Sequence, residues 1–338
     1  MTVPHRLYVG TIGEGLFRSV DGGETFVRAC EGMFVECHVR ALAVHPEDPR
    51  TIFLGSERGL YRTDDGADHW SRVESPLNGL QIWSILIAQQ SLVYASGSDR
   101  AASGSDDVIL VGTCPSRLFR SEDGGKTWTE PPARILGECP RIMHTRVTCL
   151  SADPQRPETL WAGVEIDGLF RSQDLGRTWE SVGQGLSSRD IHALAFASTD
   201  TGRWNMLAAT NNDLNLSSDG GETWQPLGIG SSMPWSYCRS LCQPIGRKNE
   251  MLLGNGDAPP GSAGIIGRST DGGRNWQPAC MPGRANSTIW NFAVRAADPQ
   301  LIYAASVSGE IYRSTDAGQS WTKLARQFGE IRALAWTP

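Results

Sequence analysis

One eight-residue pattern, Ser/Thr-x-Asp-x-Gly-x-x-aromatic, returns seven times along the chain, with its Asp at 21, 65, 123, 174, 219, 271 and 316. Successive copies lie 44, 58, 51, 45, 52 and 45 residues apart. Six copies end in Trp (Trp70, Trp128, Trp179, Trp224, Trp276 and Trp321) and the first ends in Phe26. The second departs most, with Thr63 at the Ser position and Ala67 at the Gly position. Self-similarity at this period marks a repeat architecture, in which each unit buries its apolar face against its neighbours. A chain of 338 residues can therefore be one domain.

The context of each copy is also constant. Before it runs a strand-like segment, as in Gly15-Leu16-Phe17-Arg18, Gly59-Leu60-Tyr61-Arg62 and Gly168-Leu169-Phe170-Arg171. Upstream lies a second apolar run (Leu7-Tyr8-Val9-Gly10, Ile52-Phe53-Leu54-Gly55), and earlier still an alternating one such as Val39-Arg40-Ala41-Leu42-Ala43-Val44. Alternation of this kind reads as half-buried strand. Each unit is thus four strands, A to D, with the Gly-rich box turning C into D. An Asp carboxylate can accept backbone N–H groups and fix that reversal.

The chain begins at a B-type strand and ends with an A-type one, Glu330 to Trp336. The expectation is an all-β, seven-bladed propeller of four-stranded antiparallel blades, closed by the C-terminal strand completing the N-terminal blade. The expected blades within one domain over 1–338 are 6–30 plus 330–336, 37–74, 80–132, 145–183, 189–228, 236–280 and 287–325.

These boxes resemble the Asp-box, or bacterial neuraminidase, repeats of sialidases, some xyloglucan-degrading enzymes, sortilin-type receptors and a photosystem assembly factor. The resemblance covers nearly the whole chain. It implies a propeller with structural boxes on the outer edge, away from the ligand face. Two departures from sialidases stand out: the Phe-Arg-Ile-Pro segment is absent, and sialidases have six blades.

Lys and Arg number 31 against 37 Asp and Glu, a net charge of −6 that argues against a nucleic-acid partner. No apolar run approaches the roughly 18 residues of a membrane span. The start, Met1 to Arg6, lacks a charged segment followed by an apolar one, which predicts no secretory signal. Eight Cys without a CxxC pair then read as reduced thiols, and the expected location is the cytoplasm.

A single axial site cannot use one residue seven times, so repeated features read as structural. Arg18, Arg62, Arg120, Arg171, Arg268 and Arg313, each three residues before a box Asp, are expected at edge contacts. The innermost strands are less monotonous. Aligned by their alternation, they place Arg40, Trp83, Thr148, His192, Arg239, Trp290 and Arg332 at one equivalent position near the start of strand A. Three Arg supply planar forks for carboxylate or phosphate, and two Trp supply stacking faces. Sialidases likewise hold a carboxylate with three Arg. His192, the one imidazole at this position, is the first candidate for proton transfer. Tyr237, beside Arg239, is the second, on the expectation that the cation lowers its pKa.

Loops expected at the same face add His144 and Arg146 from the long connection before blade four, which also carries Glu138, Cys139 and Arg141. The blade-six hairpin adds Asn255 and Asp257, stiffened by Pro259 and Pro260. A Ser/Gly/Asp-rich insertion from Gln89 to Asp107 is expected to extend an A–B turn on the far face. No cofactor and no resident metal are expected, a three-histidine metal site from His38, His144 and His192 being the runner-up chemistry. The functional expectation is a hydrolase or lyase acting on an anionic, carboxylated small molecule or sugar acid. The alternative is a non-catalytic binding or assembly propeller recognising a protein or carbohydrate. The sequence leaves the oligomeric state open.

Overall fold

The computed structural model describes residues 5–88, 107–140 and 142–338. The fold is an all-β propeller of seven antiparallel sheets. The innermost strands are Ile331–Thr337, Ala41–Val44, Gln81–Ala88, Val147–Ala152, Ile191–Ser198, Tyr237–Cys242 and Ile289–Val294. Each packs beside the next in that order, and the last returns to the first, so they form a closed ring around one axis.

Closure follows the sequence. Ile331–Thr337 pairs antiparallel with Arg6–Thr11, Leu7 opposite Trp336 and Val9 opposite Leu334, and so supplies the innermost strand of the first blade. Ile331 and Trp336 are buried with Leu7, Val9 and Tyr303, which welds the first blade to the seventh.

Each box makes the same turn. At the first, the Ser19 hydroxyl accepts the Gly23 amide at 2.8 Å and donates to Asp21 at 2.7 Å. Asp21 in turn accepts the Thr25 amide at 3.0 Å and its hydroxyl at 2.5 Å. The second box keeps the turn although Ala67 occupies the left-handed position, φ 70°, where a Cβ is disfavoured. The box aromatic then reaches the preceding blade: Trp276 packs on Ala197 and Leu207, and Trp224 on Trp161. Burying a ring of that size stabilises by on the order of 3 kcal/mol.

The repeated Arg clip neighbouring blades at the rim. Arg18 donates to the Gly66 carbonyl at 2.9 Å, Arg62 to Gly124 at 2.9 Å, Arg120 to Leu175 at 2.6 Å and Arg313 to Gly22 at 3.2 Å. Each of these carbonyls lies in the next blade's box, the last one closing the circle. The edge-contact reading of this Arg set therefore holds for those four, and for Arg171, which reaches Glu222 in the next blade's box. Arg268 instead pairs with Glu250 at 2.9 Å.

Two local features differ from the sequence expectation. The third sheet has three strands, its outermost reduced to a bridge between Arg120 and Thr129. The connection after it folds into an extra hairpin, Glu138–Cys139 with Met143–His144. Of the predicted far-face insertion, residues 89–106 lie outside the described residues, as does Arg141. Among the described residues no helix is long and apolar enough to cross a membrane.

Candidate functional site

Six of the seven aligned positions are β-bulges. The ladder passes from Ile82 to Ser84, Val147 to Cys149, Ile191 to Ala193, Cys238 to Ser240, Ile289 to Asn291 and Ile331 to Ala333, skipping the residue between. The skipped residues are Trp83, Thr148, His192, Arg239, Trp290 and Arg332. The seventh, Arg40, stands just before its strand, its amide on the Gly55 carbonyl at 2.9 Å. A bulge re-aims a side chain and ends regular pairing, and here six bulges, with Arg40 just before its strand, bring seven side chains to the ring.

A small residue on strand B makes the bulge packable. Ile289 precedes the bulged Trp290 and lies against Gly254 of the blade before. A Cβ on Gly254 would meet the Ile289 carbonyl oxygen at 2.3 Å. The same arrangement sets Val39 on Gly10, Ile82 on Gly55, Val147 on Gly112 and Ile191 on Gly163.

The seven ring residues line two cavities that meet at the ring. The larger, about 1010 Å³, opens above it; the smaller, about 200 Å³, lies below. Around the ring, the Arg40 and Arg146 guanidinium carbons lie 4.8 and 4.7 Å from the Trp83 ring centroid. Arg239 and Arg332 lie 3.7 and 4.2 Å from that of Trp290. Each Trp thus carries two cations, an arrangement favoured by the ring quadrupole.

The four cations differ in their partners. Arg146 is held by Glu165, at 2.7 and 2.5 Å to its two oxygens, and Arg332 by Glu330. Arg40 and Arg239 have no ion pair among the described residues, Arg239 approaching only the Tyr237 hydroxyl, and Arg40 Nε is buried without a partner. Burial, followed by the charge of Arg332, works against the charged form of Arg40, and burial does the same at Arg239. An arginine stays protonated regardless, so two half-buried charges stand without an ion-pair partner, Glu330 supporting Arg40 and Glu165 and Asp190 supporting Arg239 only from a distance.

His192 is buried. Its Nδ1 lies 2.7 Å from the Cys238 carbonyl, and its Nε2 3.4 Å from Asp190 Oδ1. A carbonyl only accepts, which assigns the proton to Nδ1. The Tyr237 ring lies 5.0 Å away. Burial pushes the Tyr237 phenol up, overriding Arg239. The expected lowering by the cation therefore does not occur, because desolvation of a buried phenolate is the larger effect. The hydroxyl makes no hydrogen bond of ordinary geometry, although Arg239 approaches it. Burial also pushes the Glu165 carboxyl up against the pull of Arg146, and the nearby Asp190 adds to the rise.

Of the sequence candidates, Arg40, Trp83, Arg146, His192, Tyr237, Arg239, Asp257, Trp290 and Arg332 line the upper cavity. His144 and Asn255 do not. His144 sits in the extra hairpin. Asn255 is fully buried on strand B and donates to the Trp235 and Tyr237 carbonyls, both at 2.8 Å, so it props the wall from behind. Asp257 closes its own hairpin by accepting the Ser262 amide and hydroxyl at 2.9 and 2.8 Å. Neither His38 nor His144 reaches the cavity of His192. Among the described residues no group of three or more His, Cys, Asp or Glu is arranged to hold a metal, which sets the three-histidine reading aside.

Sequence reasoning passed over Gln81, Asp190 and Glu330 as site residues, and Trp235 beside Tyr237. A signal for the first three was present. Gln81, Arg146, Asp190, Tyr237 and Glu330 each stand two residues before a ring position, and side chains two apart on a strand share a face.

No protein-family profile matches the chain. A xyloglucanase of Paenibacillus sp is 26% identical over 332 residues, covering 82% of this chain and 31% of that protein. An oligoxyloglucan-reducing end-specific xyloglucanase of Emericella nidulans is 22% identical over 218 residues, covering 59% and 25%. The chain thus spans about a third or less of these relatives' own length. Among solved structures, an ancestral GH74 enzyme matches at a TM-score of 0.56 and 14% identity, over 97% of this chain and 54% of that one. YCF48 bound to D1 peptide matches at 0.56 and 16%, over 93% and 88%. The chain is a seven-bladed β-propeller with xyloglucanase homologues at low identity.

Proposed function

We propose that this chain is a carbohydrate-acting hydrolase whose axial cavity takes a sugar bearing a carboxylate. The xyloglucanase homologues support the carbohydrate class. The single observation that carries the acidic part is the pair Arg40 and Arg239, half-buried beside Trp83 and Trp290 with no carboxylate of the described residues in ion-pair contact. Burying an unpaired charge is costly, and an anionic ligand removes that cost. Guanidinium forks fit a carboxylate.

Two groups in the cavity are suited to proton transfer, His192 as acceptor at Nε2 and Glu165 as donor. His192 has its tautomer set by the Cys238 carbonyl, and Glu165 has a carboxyl pushed up by burial. Asp190 is the carboxylate beside them, its Oδ1 buried without a hydrogen bond of ordinary geometry. A carboxyl pushed up by burial beside a second carboxylate is the kind of pair with which glycosidases divide acid and base roles.

A second reading, a non-catalytic binding propeller, is favoured by the engagement of three cavity carboxylates. Glu165 is tied to Arg146, Glu330 to Arg332, and Asp257 to its own turn.

Calorimetric titration with galacturonate oligosaccharides and neutral xyloglucan oligosaccharides, together with an assay for released reducing ends, separates the readings. Expected are binding of the acidic series, loss of that binding in Arg239→Ala, and product release. Binding with no product under any pH tested favours the binding module. A cooperatively folded protein that binds neither series overturns the acidic-sugar reading.

A further inference from the structure

We infer that the ligand is held end-on, its terminal carboxylate passing through the ring of seven into the lower cavity while the rest of the sugar chain stays above. This rests on the carboxylated-sugar reading and goes further, because it fixes where along a chain the acid must stand.

The two cavities differ in charge. Every carboxylate of the site, Glu165, Asp190, Asp257 and Glu330, lines the upper cavity alone. The lower cavity is lined by Arg40, Arg239 and Arg332 with no Asp or Glu among the described residues. It also holds donors without acceptors: Arg40 Nε and Asn291 Nδ2 are both buried with no hydrogen-bond partner. The hydroxyls nearby are already used, Thr148 donating to the Ile191 carbonyl at 2.6 Å and Ser240 to the Ile289 carbonyl at 3.1 Å. A compartment with spare N–H donors, spare positive charge and no competing anion is built to accept oxygens that carry negative charge. An acid left in the upper cavity would share the arginines with four carboxylates.

Size sets the orientation. About 200 Å³ below the ring, against about 1010 Å³ above, admits a compact group. For an internal uronate to reach the same donors, one chain segment would have to descend through the ring and another return. Beyond the donors the lower wall continues with Ala193, Leu241 and Phe292, which offer no hydrogen bonds to a sugar chain. A chain end meets neither obstacle.

The test compares two trisaccharides that differ only in whether their single glucuronate is terminal or central, with the neutral trisaccharide as a third probe. Wild type is titrated beside Asn291→Asp, which keeps the side chain's shape and places a negative charge in the lower cavity. Expected is a preference of at least about tenfold for the terminal acid in wild type, and its loss in Asn291→Asp. Equal affinity for terminal and central acids, or unchanged terminal-acid affinity in Asn291→Asp, overturns end-on binding while leaving the acidic-sugar reading in place. Failure of the folded wild type to bind either acid overturns the acidic-sugar reading itself. Tighter capture of a peptide through its free C-terminal carboxylate than of any sugar overturns both.

Discussion

Arg239 lies over Trp290 with its guanidinium carbon 3.7 Å from the ring centroid, and burial there opposes its charge more than Glu165 and Asp190, neither of them in ion-pair contact, support it. A residue placed for the fold alone would not be left in this state, since replacing a buried charge by an apolar group of similar volume is often neutral or stabilising. Arg239→Met should therefore melt at or above the wild-type temperature while losing about 10–100-fold in affinity for the acidic ligand. Thermal melts and titration on the same preparation check both halves. Destabilisation by more than about 2 kcal/mol would instead make Arg239 a structural residue.

Gly254 sits on strand B of the sixth blade under the bulge of the seventh. A methyl group there would meet the Ser240 hydroxyl at 2.2 Å and the Ile289 carbonyl oxygen at 2.3 Å. The second contact is backbone and cannot rotate away. Gly254→Ala should destabilise by about 1–3 kcal/mol through overpacking and displace Trp290, so that ligand affinity falls with stability. Denaturant unfolding measures the first effect and titration the second. A variant as stable as wild type would mean that the blade interface yields more easily than its close contacts indicate.

Much of this was legible in the sequence because a box turn is local chemistry. Ser19, Asp21 and Gly23 satisfy one another within a few residues, so seven copies announce seven blades. The axial ring was legible for a related reason: each ring residue stands at one fixed place relative to the alternation that follows it, so Arg40 through Arg332 align whether or not the position is a bulge. What could not be read was pairwise distance between blades. Nothing local tells that Asn255 turns inward to brace Trp235, or that His144 is spent on a hairpin. Desolvation was equally out of reach, and it reversed the expected shift of Tyr237.

All seven box carboxylates are held below the usual Asp range. For Asp219 the Thr223 hydroxyl and amide bring the value to about 2. A carboxyl whose folded pKa is depressed stabilises the fold above its unfolded value, about 3.9. That contribution is lost as pH falls through the folded value. Asp219→Asn should be less stable than wild type at neutral pH, by about 1 kcal/mol or less because the site is solvent-screened. The gap should close between pH 4 and pH 2, as roughly those two values bracket the titration. Melting temperatures at stepped pH decide it. A gap constant down to pH 2 would show that the turn depends on shape alone.

The closing strand makes the last test the most general one. Ile331, Leu334 and Trp336 are buried against the first and seventh blades, and the strand shares a ladder with Arg6–Thr11 along its length. Removing 331–338 strips that ladder, uncovers apolar side chains on both neighbours and deletes Arg332 from the ring. An open strand edge of this kind recruits other strands, so the shortened protein should lose its cooperative melt and form larger species by light scattering. The missing element is one short strand with no tertiary structure of its own to recover. A synthetic peptide of residues 329–338 added in trans should therefore restore both the melt and the monodisperse size, by the strand addition that sheet edges support. A truncated protein that melts like the full chain would show that the inter-blade clips, such as Arg313 on Gly22, hold the circle without it.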